Sequence, residues 1–530
     1  MLRINNIRVP LDFDFSELKN LCVKKLKISS ENLLNVRLSR KSVDARKKTD
    51  VHFIISVDIE VKNENKVLKT VKNAVKIEKF IYKPEKIYGN FQRPVVVGFG
   101  SAGMFSALVL ALSGAKPIVL ERGMDVEARS RAVENFRSGG LLNPECNVQF
   151  GEGGAGTFSD GKLTTGIKDK RIDWILEKFV EYGAPEEILY LAKAHIGTDK
   201  LLTIVKNIRE QIIQLGGEVI FNAKLCDFQA KNDNISAVTY SDGKNLHEIK
   251  TNNLILATGH SARDVFEMLY EKNISLSPKN FSVGLRIEHL RKDIDRDMYG
   301  DFAGNSALKS ADYKLAEHLP NGRTLYTFCM CPGGEVISAT SEEKRLVVNG
   351  MSRFARDAEN SNSALLVGIS PEDFGVSHVL AGMYFQREIE EKAFIAGGGD
   401  YSAPVSLVGD FLEGRRSEKF GSVMPSYRPA VKFARPEEYL PDFVCETLRL
   451  GIIEMGKKIK SFNNKDAVLT GVETRSSSPI RVNRNENFQS LSLKGLFPCG
   501  EGAGYAGGIM SAAVDGMKCA EAVIENLKGE

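Results

Sequence analysis

The chain of 530 residues is short of paired cysteines and of long apolar runs. Its eight cysteines are scattered, and only Cys329 and Cys331 lie close together, which argues against a disulfide framework and against the paired CxxC spacing of zinc sites. The most apolar segment, residues 104–112, is far too short to span a bilayer. The first 15 residues lack a basic region followed by an apolar run. We therefore expect no signal peptide, no membrane partner and a cytoplasmic location.

The sequence also shows no Ser–His–Asp set and no cluster of metal-ligating residues, so we expect no metal. The net charge of +4 is unevenly distributed, because residues 1–93 carry 21 Lys and Arg against 11 Asp and Glu. The basic segment 40–48 is expected to be a loop between two strands. A solvated Lys-rich surface is the simpler interpretation of this excess; contact with nucleic acid or another anionic partner is the alternative.

The clearest motif begins at residue 94, with the sequence PVVVGFGSAGMFSALVLALSGAKPIVLERG. It predicts a strand, a glycine turn, an apolar helix and a second strand that ends in Glu121. Gly98 permits the tight turn, Gly100 lets the backbone approach a pyrophosphate, and Gly103 lets helix and strand pack closely. The helix N-terminus offers unpaired N–H groups to the phosphates. This arrangement predicts a dinucleotide site in which Glu121 accepts hydrogen bonds from a ribose.

Two further glycine-rich stretches point to the same site. Residues 147–162 have almost bare backbone but no clear following helix, which suits close approach of a flat or phosphorylated ligand. A β-meander precedes a strand that ends in Ala257-Thr258-Gly259. Residues 495–508 predict a strand ending in Gly500-Glu501, then glycines and a final helix. Too little chain remains there for a second dinucleotide unit.

The predicted fold is α/β: a Rossmann-like domain, with a parallel sheet and a β-meander, that carries an inserted α+β substrate domain and follows a small ferredoxin-like α+β module. We expect the N-terminal module at 1–90, the nucleotide-binding domain at 91–280 and 461–530, and the inserted substrate domain at 281–460. Few long helices are expected in the insert before residues 443–459.

Candidate catalytic residues fall in the insert. Residues 281–289 alternate, which puts Arg286 and Glu288 on one strand face, where they could bind a carboxylate substrate and relay a proton, with His289 as acid or base. The alternative is a surface ion pair and a loop histidine. Cys329 and Cys331 are expected on one face of a strand, as pocket lining, core packing or a redox pair, although that spacing strains a disulfide.

In the order of its nucleotide turn, Ala-Thr-Gly strand and terminal Gly-Glu segment, the chain resembles the glutathione-reductase-type FAD-binding superfamily. Through the segments GEGGAGTFSDGKL, GLRIEH and CMCPGG it resembles most closely a bacterial FAD-dependent dehydrogenase family, related to aminoacetone-oxidase-like and geranylgeranyl-reductase-like flavoproteins. The resemblance implies that FAD is bound by Gly98, Gly100, Ser101, Ala102, Gly103, Glu121, Arg122, Gly153, Gly154, Ala155, Gly156, Thr157, Ser159, Leu225, Ala257, Thr258, Gly259, Gly500, Glu501, Gly507, Gly508 and Ile509. In this family Glu501 takes a position usually held by Asp.

The expected function is that of an FAD-dependent oxidoreductase acting on a small organic substrate by hydride transfer. Because the sequence contains no second complete Rossmann unit, NAD(P)H could serve only as a transient donor, or the substrate itself reduces the flavin. Two other functions stay open: an FAD-dependent RNA-modifying enzyme, suggested by the basic module, and a non-enzymatic flavin-binding sensor.

Overall fold

The structure, a computed structural model, describes residues 1–375 and 378–529. The strands in this part of the chain are β1 (Leu2–Val9), β2 (Leu33–Asp44), β3 (His52–Val61), β4 (Ala74–Lys76), β5 (Val95–Val97), β6 (Ile118–Leu120), β7 (Glu218–Ile220), β8 (Lys224–Lys231), β9 (Asn234–Ser241), β10 (Leu246–Lys250), β11 (Leu254–Leu256), β12 (Leu276–Pro278), β13 (Phe281–Leu290), β14 (Ala316–His318), β15 (Thr324–Cys331), β16 (Glu335–Ser338), β17 (Val348–Met351), β18 (Asn360–Ile369), β19 (Ala403–Leu407), β20 (Val431–Phe433), β21 (Val468–Glu473), β22 (Ile480–Val482) and β23 (Leu496–Pro498).

The α-helices of the described residues are α1 (Leu18–Leu26), α2 (Glu64–Thr70), α3 (Ser101–Ser113), α4 (Val126–Arg137), α5 (Arg171–Glu181), α6 (Thr198–Gln214), α7 (Arg263–Glu271), α8 (Arg291–Tyr299), α9 (Pro371–Phe374), α10 (Ala381–Ala396), α11 (Val408–Leu412), α12 (Asp442–Lys458) and α13 (Ile509–Lys528). None of them has both the length and the apolarity needed to cross a membrane.

The N-terminal module has the element order β-α-β-β-α-β, and its sheet has the strand order β2-β3-β1-β4. Both are features of the ferredoxin-like arrangement that the sequence predicts. The basic segment 40–48 is not a simple loop, because β2 continues to Asp44. The reason is continued antiparallel pairing with β3, which reaches Asp44 opposite His52. Lys41 also bonds the rest of the protein: its N–H donates to the Tyr190 carbonyl at 2.7 Å, and the Ala192 N–H donates to its carbonyl at 2.9 Å.

The nucleotide-binding domain is built on a parallel five-stranded sheet with the order β23-β11-β5-β6-β7. Strands β5, β6 and β11 are uninterrupted apolar triplets because both faces of the sheet are covered. Helices α3, α6 and α13 share one apolar core, and the meander β8–β10 packs into the core on the other face. Since β23 lies beside β11 and next but one to β5, the turns near residues 100 and 500 meet at the same sheet edge.

The inserted domain is built on a seven-stranded sheet with the order β14-β15-β18-β13-β21-β19-β20. Strand β21 lies beyond residue 460, so the sheet extends past the boundary that the sequence suggested. The described residues of the insert contain one long helix before residue 443, α10 with 16 residues, in agreement with the expectation of few. Its apolar periodicity is interrupted by Gln386 and Glu390, which are both buried.

Those two polar residues join the inserted domain to the nucleotide-binding domain. The guanidinium of Arg263, on α7, donates to both carboxylate oxygens of Glu390 at 2.7 Å and to Gln386 Oε1 at 3.1 Å. Arg475, just after β21, donates to Glu390 Oε2 at 3.0 Å. Burial alone would raise the pKa of Glu390, but the two guanidinium groups hold it well below its usual range. The polar positions of α10 are therefore anchors between the two domains.

Candidate functional site

The glycines of the first motif are required by close packing of the backbone. Gly98 has φ = 95°, a left-handed conformation that favours glycine. A Cβ on Gly103 would overlap the carbonyl oxygen of Gly98, and a Cβ on Gly98 would overlap that of Ala257. These contacts hold the start of α3 against the ends of β5 and β11, so the first N–H groups of the helix face outward from the sheet edge.

The second glycine-rich segment packs directly against this turn. The N–H of Gly153 donates to the carbonyl of Phe99 at 2.8 Å, and a Cβ on Gly154 would lie 2.8 Å from the Cα of Gly100. A Cβ on Gly156 would lie 3.1 Å from the side chain of Ile509, at the start of α13. Segments around residues 100, 155 and 509, far apart in sequence, therefore enclose one cradle.

The cradle contains glycines of a second kind, which have free space in front of them. A Cβ on Gly507 would meet no heavy atom of the described residues within 4 Å, and the same is true of Gly508 and Gly259. Nearby, a Cβ on Gly500 would lie 2.7 Å from the Cβ of Ala102, and one on Gly502 would lie 2.6 Å from the Gly259 carbonyl oxygen. We use the name cradle for residues 98–103, 153–159, 257–259 and 500–509.

Glu121 is buried at the edge of the cradle and is oriented by the backbone. Its Oε1 accepts N–H bonds from Gly123 and Gly151, both at 2.9 Å, and its Oε2 accepts from Phe99 at 2.8 Å. An ionised carboxylate has about four acceptor directions. Three are used by amides, so Glu121 first stabilises the two glycine turns, and only Oε2 keeps an acceptor direction for a ribose.

Three further residues that were predicted to bind the cofactor are already engaged within the protein. Arg122 forms a bidentate ion pair with Asp264 at 2.9 Å and lies over the ring of Phe150, so its charge is already compensated. Leu225 is buried in the core beneath the meander. The Ser159 hydroxyl donates to the Gly156 carbonyl at 2.7 Å, which closes a local turn.

Several cradle residues contribute through their backbone or position alone. Ser101 and Ala102 begin α3, Ala155 begins a 3₁₀ turn that ends at Phe158, and Ala257 extends the parallel ladder through an N–H bond of 2.8 Å to Val97. Thr258 follows at the same sheet edge. The hydroxyl of Thr157 is buried and has no hydrogen-bond partner among the described residues.

Glu501 pairs with a histidine that the sequence motif does not connect to it. Its Oε1 lies 3.3 Å from His260 Nδ1, and His260 Nε2 lies 3.0 Å from the carbonyl oxygen of Arg475. The longer side chain at a position usually held by Asp thus reaches across the cradle to the loop after β11. This contact links the nucleotide turn to the segment that follows β21.

The seven-stranded sheet has one apolar and one polar face. Val283, Leu285 and Ile287 of β13 lie in the apolar core with α12. Arg286 and Glu288 lie on the opposite face, and both side chains are completely buried, so the alternative of a surface ion pair is wrong. The hairpin β16–β17 covers this polar face, and Gly350 of the hairpin has no room for a Cβ beside the Arg286 guanidinium and the Asn362 side chain.

Arg286 organises the polar face. Its Nη2 donates to the Cys329 carbonyl at 2.7 Å, its Nη1 donates to Asn349 Oδ1 at 3.2 Å, and its Nε lies 3.2 Å from Glu473 Oε2. Burial raises the pKa of Glu473 to about 7, in spite of the opposing charge of Arg286. Glu473 therefore exchanges a proton near neutral pH.

Two polar side chains beside Arg286 lack partners in the protein. Both amide atoms of Asn362 and the hydroxyl of Thr470 have no hydrogen-bond partner among the described residues, although both residues are completely buried. Register pairing puts Thr470 opposite Arg286, and Asn362 opposite Glu288. Native proteins rarely leave buried amides unpaired. These atoms are therefore the strongest sign that the polar face contacts something besides the protein.

A cationic group connects the cradle to the polar face. Lys162 follows the cradle directly, lies 2.7 Å from Asp160 Oδ2, and donates to the carbonyl of Met330 on β15. Asp160 also accepts two hydrogen bonds from Arg356, at 2.5 and 2.9 Å. Burial alone would raise the pKa of Asp160, but Lys162 and Arg356 hold it well below its usual range. The ion pair is thus maintained throughout the physiological pH range.

The two cysteines do not follow the expected strand alternation. The register of β15 shifts between Phe328 and Cys331, and Cys329 has φ = 41°. Cys329 is partly exposed, whereas Cys331 is buried and its thiol donates to the Cys329 carbonyl at 3.3 Å. The Cys331 thiol and the nearby cations Lys162 and Arg286 lower the pKa of Cys329. At the bulge, the Cys331 side chain thus folds over the backbone of residue 329.

Glu288 and His289 are both engaged in buried contacts that stabilise the fold. Glu288 accepts hydrogen bonds from Asn360 at 3.1 Å and from the backbone N–H and the hydroxyl of Ser426. His289 Nε2 lies 2.8 Å from the carbonyl oxygen of Phe462, and its ring packs against the rings of Phe462 and Tyr313. Burial lowers the pKa of His289 to about 4, so the ring is neutral at physiological pH. A catalytic role for His289 therefore stays a prediction from the sequence.

The sequence analysis missed Lys162, Asp160, Asn362 and Glu473. Lys162 and Asp160 end the second glycine-rich stretch, so their closeness to the cradle could have been inferred from the motif. No local signal marks Asn362 or Glu473, because only sheet pairing brings them beside Arg286. The structure also brings the ligand atoms of Cys499, Asp515 and Cys519 within 4.8 Å of one another, but Asp515 is already bound by Arg484 at 2.6 Å and by the Gly500 N–H at 2.7 Å.

Comparisons with known proteins support the cofactor that the cradle suggests. Residues 280–476 match the family described as "FAD-dependent protein, C-terminal domain-like", and residues 1–60 match a domain of unknown function. Together with the cradle, this match shows an FAD-dependent protein, and the predicted cofactor, FAD, is confirmed. An uncharacterized protein of Clostridium beijerinckii is 50% identical over 537 residues, which cover 99% of this chain and 98% of that protein. The chain belongs to the same family as that protein.

Similarity to solved structures is weaker. A flavoprotein/dehydrogenase from Cytophaga hutchinsonii is 12% identical, and a geranylgeranyl bacteriochlorophyll reductase-like protein from Thermoplasma acidophilum is 13% identical. Each alignment covers 83% of this chain and 80% of the other, with a TM-score of 0.38. Similarity at this level carries no argument about activity.

The residues of the cradle fit FAD. Glycines that tolerate no Cβ bring the backbone of two loops together, and glycines with open space beside them line the interior. Two helices, α3 and α13, begin at the cradle, so their N-terminal N–H groups suit the pyrophosphate and the electron-rich edge of a reduced flavin. The unpartnered hydroxyl of Thr157 adds a polar contact on the second loop.

Proposed function

We propose that the chain is an FAD-dependent oxidoreductase that exchanges a hydride with a small organic substrate held at the polar face of the seven-stranded sheet. The observation that carries this proposal is the buried side chain of Asn362, both of whose amide atoms lack a partner among the described residues. Together with Thr470, Asn362 offers two donor groups and two acceptor oxygens beside the Arg286 guanidinium. That set suits a polar substrate with a carboxylate or carbonyl group.

Strand β17 connects this polar face to the cradle. Its Gly350 packs against Arg286 and Asn362, and Ser352, just beyond the strand, accepts the Thr198 N–H at 3.0 Å. The hydroxyl of Thr198 in turn donates to the carbonyl of Thr157, in the cradle, at 2.7 Å. This chain of contacts supports a substrate position next to the cofactor, as hydride transfer requires.

The residues have distinct proposed roles. Bound FAD supplies the hydride chemistry. Arg286 and Asn362 orient the substrate, and Glu473 holds or releases a proton on its carboxyl group, since its pKa of about 7 suits general acid–base catalysis. The start of α13 stabilises negative charge that develops in the cradle. A nicotinamide donor docks transiently, or the substrate itself is the reductant, because the sequence contains no second complete Rossmann unit.

Substitution of Gly507 by alanine tests the cradle. The new methyl group would meet no described protein atom within 4 Å, so it should leave the unfolding temperature of the FAD-free protein unchanged. It would project into the space assigned to FAD, and we expect FAD to bind at least tenfold more weakly, which corresponds to about 1.4 kcal/mol. Gly368→Ala, which also meets no neighbour, is the matched control. Equal FAD affinity in both variants would contradict the assigned cofactor position.

Reduction of the bound flavin tests the oxidoreductase activity. Anaerobic mixing of the yellow protein with NADH, NADPH and a panel of small carboxylic acids and ketones should bleach the flavin absorbance for at least one reductant. Asn362→Leu should slow that bleaching at least tenfold while the protein still binds FAD. A flavin that every reductant leaves oxidised would favour the sensor, and co-purifying RNA whose binding falls with salt would favour the RNA-modifying enzyme.

A further inference from the structure

Cys329 occupies an unusual position in the inserted domain. It lies at the bulge of β15 in a left-handed conformation, φ = 41°, and it is partly exposed. Bulges re-aim side chains and are common beside active sites. The next thiol along the strand, Cys331, is fully buried, so solvent reaches the pair from the Cys329 side.

Charged groups from several elements face the Cys329 sulfur. Lys162, from the loop after the cradle, and Arg286, from β13, are cationic; Asp160 and Glu473 are the nearby acids. The hydrogen bond from Cys331 and the two cations lower the pKa of Cys329, whereas burial and Asp160 oppose this effect. Asp160 is itself compensated by Arg356, so the field at the sulfur favours the thiolate.

We propose that Cys329 and Cys331 form a redox-active dithiol site that reduces small hydroperoxides. The Cys329 thiolate attacks the outer oxygen of the peroxide, an S–O bond forms, and the O–O bond breaks. The peroxide remnant takes up a proton and leaves as an alcohol, or as water when the oxidant is hydrogen peroxide. Cys329 is then a sulfenic acid, oxidised by two electrons.

Cys331 resolves this intermediate. Its sulfur attacks the Cys329 sulfur, an S–S bond forms, and the S–O bond breaks. The departing hydroxide combines with the proton of the Cys331 thiol to give water. The net reaction converts one hydroperoxide and two thiols into an alcohol, water and a disulfide.

A hydroperoxide is favoured over larger electrophiles by the surroundings of the pair. The covering hairpin and the buried side chains of the polar face leave Cys329 only partly exposed, which suits a small oxidant. Lys162 and Arg286 are positioned to stabilise negative charge on the departing oxygen. The contact of the Cys331 thiol with the Cys329 carbonyl, 3.3 Å, holds the resolving thiol beside residue 329, where the second step needs it.

Thiol mapping by mass spectrometry tests the proposal in the full-length protein with FAD bound. One equivalent of hydrogen peroxide at pH 7 should oxidise Cys329 at least tenfold faster than the exposed thiol of Cys226, which serves as an internal reference. The peptide that contains both cysteines should lose 2 Da, and dithiothreitol should restore it. Equal rates at Cys329 and Cys226 would overturn the proposal.

The variant Cys331→Ser separates the two steps. It should leave the first oxidation of Cys329 intact but stop it at the sulfenic acid, which dimedone labels; the wild type should give little label. Direct oxidation of wild-type Cys329 to sulfinic acid, without disulfide, would show that Cys331 does not resolve it. A third readout needs no variant: alkylation of Cys329 by iodoacetamide should have its pH midpoint at least one unit below the value of about 8.5 for a free cysteine.

Discussion

The cradle and the polar face of the seven-stranded sheet differ in which parts of the chain form them. The cradle consists of backbone and glycine, and its shape follows from turns in which a Cβ has no room. The polar face consists of long side chains, Arg286, Glu473 and Asn362, that only strand pairing brings together. The first is a local design that many dinucleotide-binding proteins share, whereas the second forms only in the completed fold. Cofactor binding is thus encoded by short motifs, and the proposed substrate contact depends on tertiary structure.

The largest effect is expected at the cradle. In Gly103→Ala the new Cβ would overlap the Gly98 carbonyl oxygen, so the turn and the start of α3 must separate. We expect a loss of at least about 4 kcal/mol in the free energy of unfolding and no retained FAD. Thermal denaturation and the absorbance of the purified protein measure both. Gly166→Ala, with no neighbour within 4 Å, is the control; a stable, yellow Gly103→Ala protein would contradict the packing argument.

The two faces of the sheet should respond differently to substitution. Leu285→Ala removes a completely buried side chain from the apolar face and should cost about 3 kcal/mol of stability without changing the chemistry of the site. Asn362→Leu removes an unpartnered buried amide, so stability should stay the same or rise by about 1 kcal/mol while flavin reduction slows. Denaturant unfolding and stopped-flow reduction provide the two measurements. If Asn362→Leu were as destabilising as Leu285→Ala, the amide would have a structural role.

The pH dependence of stability should identify the proton held by Glu473. Its folded pKa, about 7, is above the ordinary value near 4.5, so the folded protein keeps a proton that the unfolded chain releases. The resulting stabilisation is complete below about pH 4.5 and is lost as the pH rises to about 7. The change is on the order of 3 kcal/mol. Glu152, whose pKa burial also raises to about 7, contributes in the same window, so the difference between wild type and Glu473→Gln isolates Glu473.

The smallest effect is expected for the contact across the cradle. Glu501→Asp shortens the side chain and breaks the 3.3 Å approach to His260 Nδ1. Because the pair is partly exposed, we expect a change below about 1 kcal/mol in stability and only a few-fold change in FAD affinity. Calorimetric titration with FAD measures the latter. A loss of FAD binding comparable to that of Gly507→Ala would mean that Glu501 itself contacts the cofactor.

The elements of the nucleotide-binding domain were predictable because each is marked locally. An apolar triplet, a glycine turn and an apolar helix specify β5 and α3 without knowledge of the rest of the chain. Helix α10 was not predictable in this way, since Gln386 and Glu390 interrupt its apolar stripe and find their partners, Arg263, Arg475 and Thr474, in other elements.

The residues of the candidate site also divide into those that the local sequence predicts and those that only the fold brings together. Arg286 was found from strand alternation, but its burial and its partner Glu473 depend on pairing between β13 and β21, which are nearly 200 residues apart. The contact of the Cys331 thiol with the backbone of residue 329 depends on the bulge at Cys329, which no sequence pattern predicts. Lys162 reaches β15 only because the inserted domain folds back over the cradle.

The sequence by itself determined that this chain binds a dinucleotide, because the glycines Gly98 and Gly103 are a steric requirement of a short turn. It also determined which strand carries the polar side chains, through a period of two residues. The tertiary structure alone decided which of those side chains meet and which stay buried without a partner. The physical reason is that backbone sterics act within a few residues, whereas desolvation and charge pairing are settled between groups that only the completed fold brings into contact.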